Sequence, residues 1–187
     1  MEAFVVSAAA IALAELGDKT QLLALVLAAR FRAPLPVIAG ILTAVLLNHL
    51  AAGWVGMLLA AYLNPTVMRW MLVASFVLTA LWMLIPDNEP DAADKPSRFG
   101  AYGTSAITFF LLEIGDKTQI ATVALAAKYH TLVPVVAGTS LGMMLADAPV
   151  ILLGKVAAER IPLQLVHRIA AAVFVVLGVL VALGITA

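Results

Sequence analysis

The chain contains no cysteine. That excludes disulfide bridges, thiolate metal sites and thiol nucleophiles, and says little about compartment. Charge is scarce too. Only 12% of the 187 residues are Asp, Glu, Lys or Arg, against roughly 25% in an average soluble domain. The 11 basic and 11 acidic residues cancel, so nothing points to a nucleic-acid or acidic partner. A basic stretch ahead of the first hydrophobic run is missing as well, and that run holds Glu15, Asp18 and Lys19 at its centre. It therefore reads as a membrane helix and not as a cleavable signal peptide. What fills the chain is apolar: 64% of it is hydrophobic and the mean hydropathy is +1.07. This composition predicts an all-α integral membrane protein with one compact helical domain, whose surroundings are the lipid bilayer.

A membrane helix needs about 20 mostly apolar residues. Six stretches qualify: Ala3 to Ala29, Leu35 to Leu63, Val67 to Ile85, Ala101 to Ala127, Leu132 to Ala158 and Val166 to Ile185. Pro34, Pro36, Pro65 and Pro162 punctuate the short connections. The one long polar segment, Pro86 to Gly100, carries Asp87, Glu89, Asp91, Asp94, Lys95 and Arg98. It reads as a linker (87–100) between a first three-helix repeat (1–86) and a second (101–187).

The division into halves rests on a duplication. Glu15-Leu16-Gly17-Asp18-Lys19-Thr20-Gln21 recurs as Glu113-Ile114-Gly115-Asp116-Lys117-Thr118-Gln119, 98 positions later. The same offset, without a gap, aligns Ser7 with Ser105, Pro36 with Pro134, Gly40 with Gly138, Gly56 with Gly154 and Phe76 with Phe174. Each half has three spans, an odd number, so the second half must enter the membrane from the opposite side. Inverted repeats of this kind are a recurrent design of secondary transporters, with sites near the midplane at the repeat interface. Arg30, Arg32, Lys95, Arg98, Lys155, Arg160 and Arg168 fall on one side of the predicted spans, and Arg69 and Lys128 on the other. The positive-inside rule then places the linker in the cytoplasm and both termini outside.

The repeated string carries the chemistry. Ionisable groups at membrane depth are costly and persist mainly on ion or substrate pathways. On a continuous helix Glu15 would lie beside Asp18 and Lys19, and Glu113 beside Asp116 and Lys117. Paired carboxylates offer hard oxygen ligands suited to Ca²⁺, Mg²⁺ or Mn²⁺. Thr20, Thr118, Gln21 and Gln119 supply further oxygens or orient the carboxylates. Gly17 and Gly115 read as places where two helices approach closely. Four carboxylates and two ammonium groups sum to −2, which one divalent cation or two protons would neutralise. The bland alternative, an intramembrane salt bridge, does not need two carboxylates for each lysine. It fits Lys19 and Lys117 individually about as well as a functional role does, because they could simply hold the carboxylates in place.

Other polar residues signal less. Asp147 is the one further acidic residue deep in a span, aligned with His49, and Asn48 is adjacent. These three are candidates for support of the site or a proton relay, set against a simple helix-packing hydrogen bond. Thr43, Ser75, Thr79, Thr139 and Ser140 read as packing or local backbone bonds, and His130 and His167 as solvated span ends. Trp54, Trp70 and Trp82 read as packing or interfacial anchors.

The two motifs resemble the signature of uncharacterised protein family 0016, which includes the Golgi transmembrane protein 165 of animals and its yeast relative. That signature is Glu, an apolar residue, Gly, Asp, Lys or Arg, then Thr or Ser, once in each half. The resemblance covers essentially the whole chain, and neither motif departs from it. It implies exchange of Mn²⁺ or Ca²⁺ for H⁺, with bacterial members exporting manganese. It also implies that Glu15, Asp18, Glu113 and Asp116 coordinate the cation, with Lys19, Lys117, Thr20 and Thr118 at the remaining signature positions. The chain is shorter than eukaryotic members, which favours a bacterial inner membrane.

The expectation is thus a divalent cation/proton antiporter, not an enzyme, that exports Mn²⁺ and needs no cofactor. Three rivals stand beside it. The acidic cage could export small organic cations or basic amino acids, although few aromatics flank the motifs. Acidic rings could also line a passive cation channel. A membrane scaffold would use the carboxylates for folding alone. One chain suffices for one complete site, and a homodimer is left open.

Overall fold

The computed structural model describes residues 1–84, 98–153 and 163–184. Most of the expected linker, the end of the fifth predicted span with Gly154 and Lys155, Arg160 beyond it, and the side chain of His167 lie outside the described residues. Among the described residues every regular element is a helix. They run α1 (Glu2–Glu15), α2 (Lys19–Phe31), α3 (Pro34–Tyr62), α4 (Pro65–Trp82), α5 (Gly100–Glu113), α6 (Lys117–Tyr129), α7 (Leu132–Leu153) and α8 (Leu163–Ala182).

The duplication is visible in these bounds. α5, α6, α7 and α8 begin 98 positions after α1, α2, α3 and α4. Even the unusual backbone repeats: Arg32 and His130, each closing the second helix of its half, adopt left-handed φ values of 49° and 50°. Prolines at the first turns of α3 and α4 restart the chain where a missing N–H costs nothing.

Two expected continuous helices are in fact broken. Ala3 to Ala29 and Ala101 to Ala127 each divide at the repeated motif, so Glu15 and Lys19 sit on different helices. The reason is local. Glu15-Leu16-Gly17-Asp18 forms a type II turn, with Leu16 at φ −60°, ψ 113° and Gly17 at φ 82°. Asp18 N–H donates to the Glu15 carbonyl at 3.0 Å, and Asp116 N–H to that of Glu113 at 3.1 Å. Such a turn requires positive φ at its third residue, where glycine alone is unstrained. The close-approach reading of the motif glycine is therefore corrected at Gly115. A Cβ there would meet nothing within 4 Å, and φ is 78°.

Close approach belongs to other glycines. A Cβ on Gly40 would strike the Tyr102 carbonyl oxygen, and one on Gly138 the Phe4 carbonyl oxygen. These contacts are returns of each other: α5 packs on α3 as α1 packs on α7. α4 packs on α8, with Phe76 and Phe174 in contact at a ring separation of 6.2 Å. The first helix of each half thus lies on the long helix of the other, and the buried core runs through both halves.

α3, α4 and α7 are each long and apolar enough to cross a membrane. Leu46, Leu50, Trp54, Trp70, Leu78 and Leu145 are exposed along them. So much outward apolar surface fits a chain held in a bilayer and not a soluble monomer.

Candidate functional site

Each break begins a new helix with an aspartate. Asp18 occupies the N-cap position of α2 and Asp116 that of α6, both in extended conformation and neither bonding a cap N–H through its side chain. A carboxylate there faces the unpaired N–H groups and positive end of the helix dipole. Three residues on, a glutamine reaches back. The Gln21 Oε1 accepts from Gly17 N–H at 2.9 Å, and the Gln119 Oε1 from Gly115 N–H at 2.7 Å. This is the logic of a capping box, moved one residue outward, and it gives both glutamines a structural task.

The lysines cross between the halves. Lys117 Nζ donates to Asp18 Oδ1, and Lys19 Nζ donates to Asp116 Oδ1. Neither pair is the expected partnership within one motif, because the turn separates Lys19 from Glu15 and aims each new helix at the opposite break. The two pairs differ in exposure. Lys117 and Asp18 are sealed, at 2% and 0%, whereas the Lys19 side chain is 22% exposed.

The glutamates stand apart from this exchange. Glu15 is fully buried, and neither carboxylate oxygen hydrogen bonds any described group. Glu113 is equally buried, but Thr118 Oγ1 donates to its Oε2 at 2.9 Å, leaving Oε1 without a partner. In the first half the matching hydroxyl chooses differently: Thr20 Oγ1 donates to Asp18 Oδ2 at 3.1 Å. A carboxylate out of water without a donor is costly unless a proton or a cation neutralises it. The glutamates thus lie buried without an ion-pair partner among the described residues, whereas each aspartate is met by a lysine.

The four carboxylates are not gathered into a cage here. Among the described residues no group of three or more His, Asp or Glu side chains is arranged to hold a metal ion. Repulsion reaches between them nonetheless: Glu15 feels the charges of Asp18, Glu113, Asp147 and Asp116.

α7 brings Asp147 toward this region. Gln21 Nε2 donates to the carbonyl of Ala146 at 3.0 Å, next to Asp147. Asp147 is fully buried, and both oxygens lack a hydrogen-bond partner among the described residues. Its repeat mate His49 is also fully buried with neither ring nitrogen bonded. Asn48 donates to the Phe110 carbonyl at 3.1 Å, tying α3 to α5, so its amide is spent on packing.

Of the lesser hydroxyls, Thr43, Ser75, Thr79 and Thr139 bond backbone carbonyls of their own helices. Ser140 departs from that expectation: it is buried and its hydroxyl has no partner among the described residues. Sequence reasoning missed the helix breaks and the crossed lysines. The first had a legible signal, since Gly-Asp followed by Gln three residues later is a helix start.

Comparison with known proteins agrees with the duplicated motif. The family model described as "Divalent cation/proton antiporter GDT1" matches residues 3–91 and again 101–186. A curated protein of Vibrio cholerae serotype O1 (strain ATCC 39541 / Classical Ogawa 395 / O395), named "Putative manganese exporter", is 48% identical over 179 residues, covering 95% of this chain and 89% of the relative. No solved structure matches the chain. With the family model spanning both halves and a relative so similar over nearly its whole length, the chain belongs to the GDT1 family of divalent cation/proton antiporters.

Proposed function

We propose that this antiporter exports Mn²⁺ from the cytoplasm in exchange for inward H⁺, at a site shared by the two breaks. The observation that carries this reading is the crossed pairing of Asp18 with Lys117 and Asp116 with Lys19, with Glu15 and Glu113 buried beside them. Two neutral ion pairs leave two carboxyls to be neutralised, by two protons or by one divalent cation. Oxygen donors alone suit Mn²⁺ and Ca²⁺ alike. Manganese is favoured by the name of the Vibrio relative.

In this reading the chain crosses the bilayer six times, as two inverted three-helix repeats, with α1–α2 and α5–α6 as the two discontinuous spans. Broken helices at the midplane of inverted repeats hold ions in other transporters, because helix ends present backbone dipoles to them. The linker is cytoplasmic and both termini face outward, as the seven-to-two distribution of Lys and Arg requires. The membrane is a bacterial inner membrane. Glu15, Asp18, Glu113 and Asp116 take the cation, and Thr20, Thr118, Gln21 and Gln119 hold the turn and orient the carboxylates. Lys19 and Lys117 stand in for the cation at the aspartates between transport steps, and Asp147 adds negative charge nearby. One chain is sufficient for one site.

The test is metal-driven proton movement in proteoliposomes, comparing Mn²⁺, Ca²⁺ and Mg²⁺. Mn²⁺-dependent proton release that is lost in both Glu15→Gln and Asp116→Asn would support the reading. Metal flux without proton movement would replace it with a channel, and absence of metal flux would favour an organic cation as cargo.

A further inference from the structure

α6 carries the chain about 20 Å away from the second break, to a cavity of about 220 Å³ enclosed by the ends of α3, α4, α6 and α8. Its walls are mostly apolar, with Leu63, Met68 and Leu72 among them, and three basic side chains line it: Arg69, Lys128 and His130. Among the described residues no carboxylate does.

Neither Arg69 nor Lys128 forms an ion pair with a carboxylate among the described residues. Arg69 Nε is buried without a hydrogen-bond partner among the described residues. Lys128 is only 8% exposed, and its Nζ lies over the Tyr129 ring, 4.7 Å from the centroid. Lys128 Nζ makes one long hydrogen bond, 3.4 Å to the Tyr129 hydroxyl, which is itself directed to Glu2 Oε1 at 3.4 Å. A desolvated cation without a counter-charge is expensive. Among the described residues the cavity therefore presents positive charge with no carboxylate in its walls, while those apolar walls suit a hydrocarbon chain better than a hydrated ion. The same end of the bundle carries exposed Tyr62 and Trp70, residue types that settle at the level of lipid head groups.

We propose that this cavity seats an anionic glycerophospholipid, with Arg69 and Lys128 on its phosphate and an acyl chain against Leu63, Met68 and Leu72. Guanidinium and ammonium groups both bind phosphate by charge-assisted hydrogen bonds, the guanidinium through two donors at once. Basic pockets between membrane helices bind lipid head groups in this way. The site is separate from the carboxylates, so it does not depend on which cation is carried.

The test uses the full chain in mild detergent, with phosphatidylglycerol, phosphatidylcholine and inorganic phosphate as probes and native mass spectrometry as the readout. One phosphatidylglycerol should remain bound per chain, with phosphatidylcholine at least about tenfold weaker. Neutralising both cations in Arg69→Gln/Lys128→Gln should weaken retention by about a hundredfold. Ala60→Leu, which narrows the cavity and leaves the charges in place, should weaken it too and decides the matter if the double variant does not fold. Equal retention of the two lipids, or retention unchanged in the variants that fold, overturns the proposal. Saturation by inorganic phosphate at the expense of lipid would assign the cavity to a free anion and overturn it equally.

Discussion

Lys117 donates to Asp18 across 99 positions of sequence, and both side chains are sealed from solvent. Its counterpart, Lys19 on Asp116, reaches the surface through a lysine that is 22% exposed. The same chemistry, repeated by duplication, is thus placed in two environments, and the consequences of removing it should differ.

Lys117→Met removes the buried lysine that balances the Asp18 charge, a change that typically costs about 3–5 kcal/mol. Lys19→Met, at a pair whose lysine is 22% exposed but whose Asp116 is 1% exposed, should cost less than Lys117→Met. Denaturant unfolding in detergent measures both, and adding Asp18→Asn to Lys117→Met should recover much of the loss. Equal costs for the two lysines would sink the asymmetry.

Glu15→Gln should separate function from folding. Glu15 makes no hydrogen bond through its carboxylate to any described group, so the neutral amide should leave thermal stability unchanged or raise it. Mn²⁺-driven proton release should fall by at least about a hundredfold, a loss of the size seen when metal-site partners are removed. A destabilised but still active variant would show instead that the carboxylate serves the fold.

Asp147 is fully buried on α7, next to the Ala146 carbonyl that accepts from Gln21. Asp147→Asn should raise the KM for Mn²⁺ by about tenfold, through lost attraction for the cation in a low-dielectric region. The melting temperature should hold, because no hydrogen bond to a described group is lost at the carboxylate. An unchanged KM would reduce Asp147 to helix packing.

Two glycines should fail for different reasons. In Gly138→Ala the new Cβ would press on the Phe4 carbonyl and lie 3.0 Å from Ser7 Cβ, and overpacking of that sort costs about 1–3 kcal/mol. In Gly115→Ala nothing lies within 4 Å and the cost is that of φ 78° alone, about 1–2 kcal/mol. Gly138→Ala should therefore pry α1 from α7, exposing cross-link sites between them, whereas Gly115→Ala should not. Cross-linking of α1 to α7 that is the same in both variants would contradict this.

The sequence by itself determined that the chain is helical and apolar, that it is a duplication, and that one seven-residue polar string stands in both halves. These are matters of composition, period and repetition, and they need no knowledge of contacts. It also held the helix break in Gly17-Asp18 and Gly115-Asp116, where the pattern of a uniform hydrophobic run concealed a turn. Only tertiary structure decided which lysine meets which aspartate, because the pairing joins residues 97 and 99 positions apart through helices whose mutual placement no local preference encodes. It also decided that Thr20 serves Asp18 while Thr118 serves Glu113. Identical strings accept different partners when the helices around them, one bearing His49 and the other Asp147, are no longer the same.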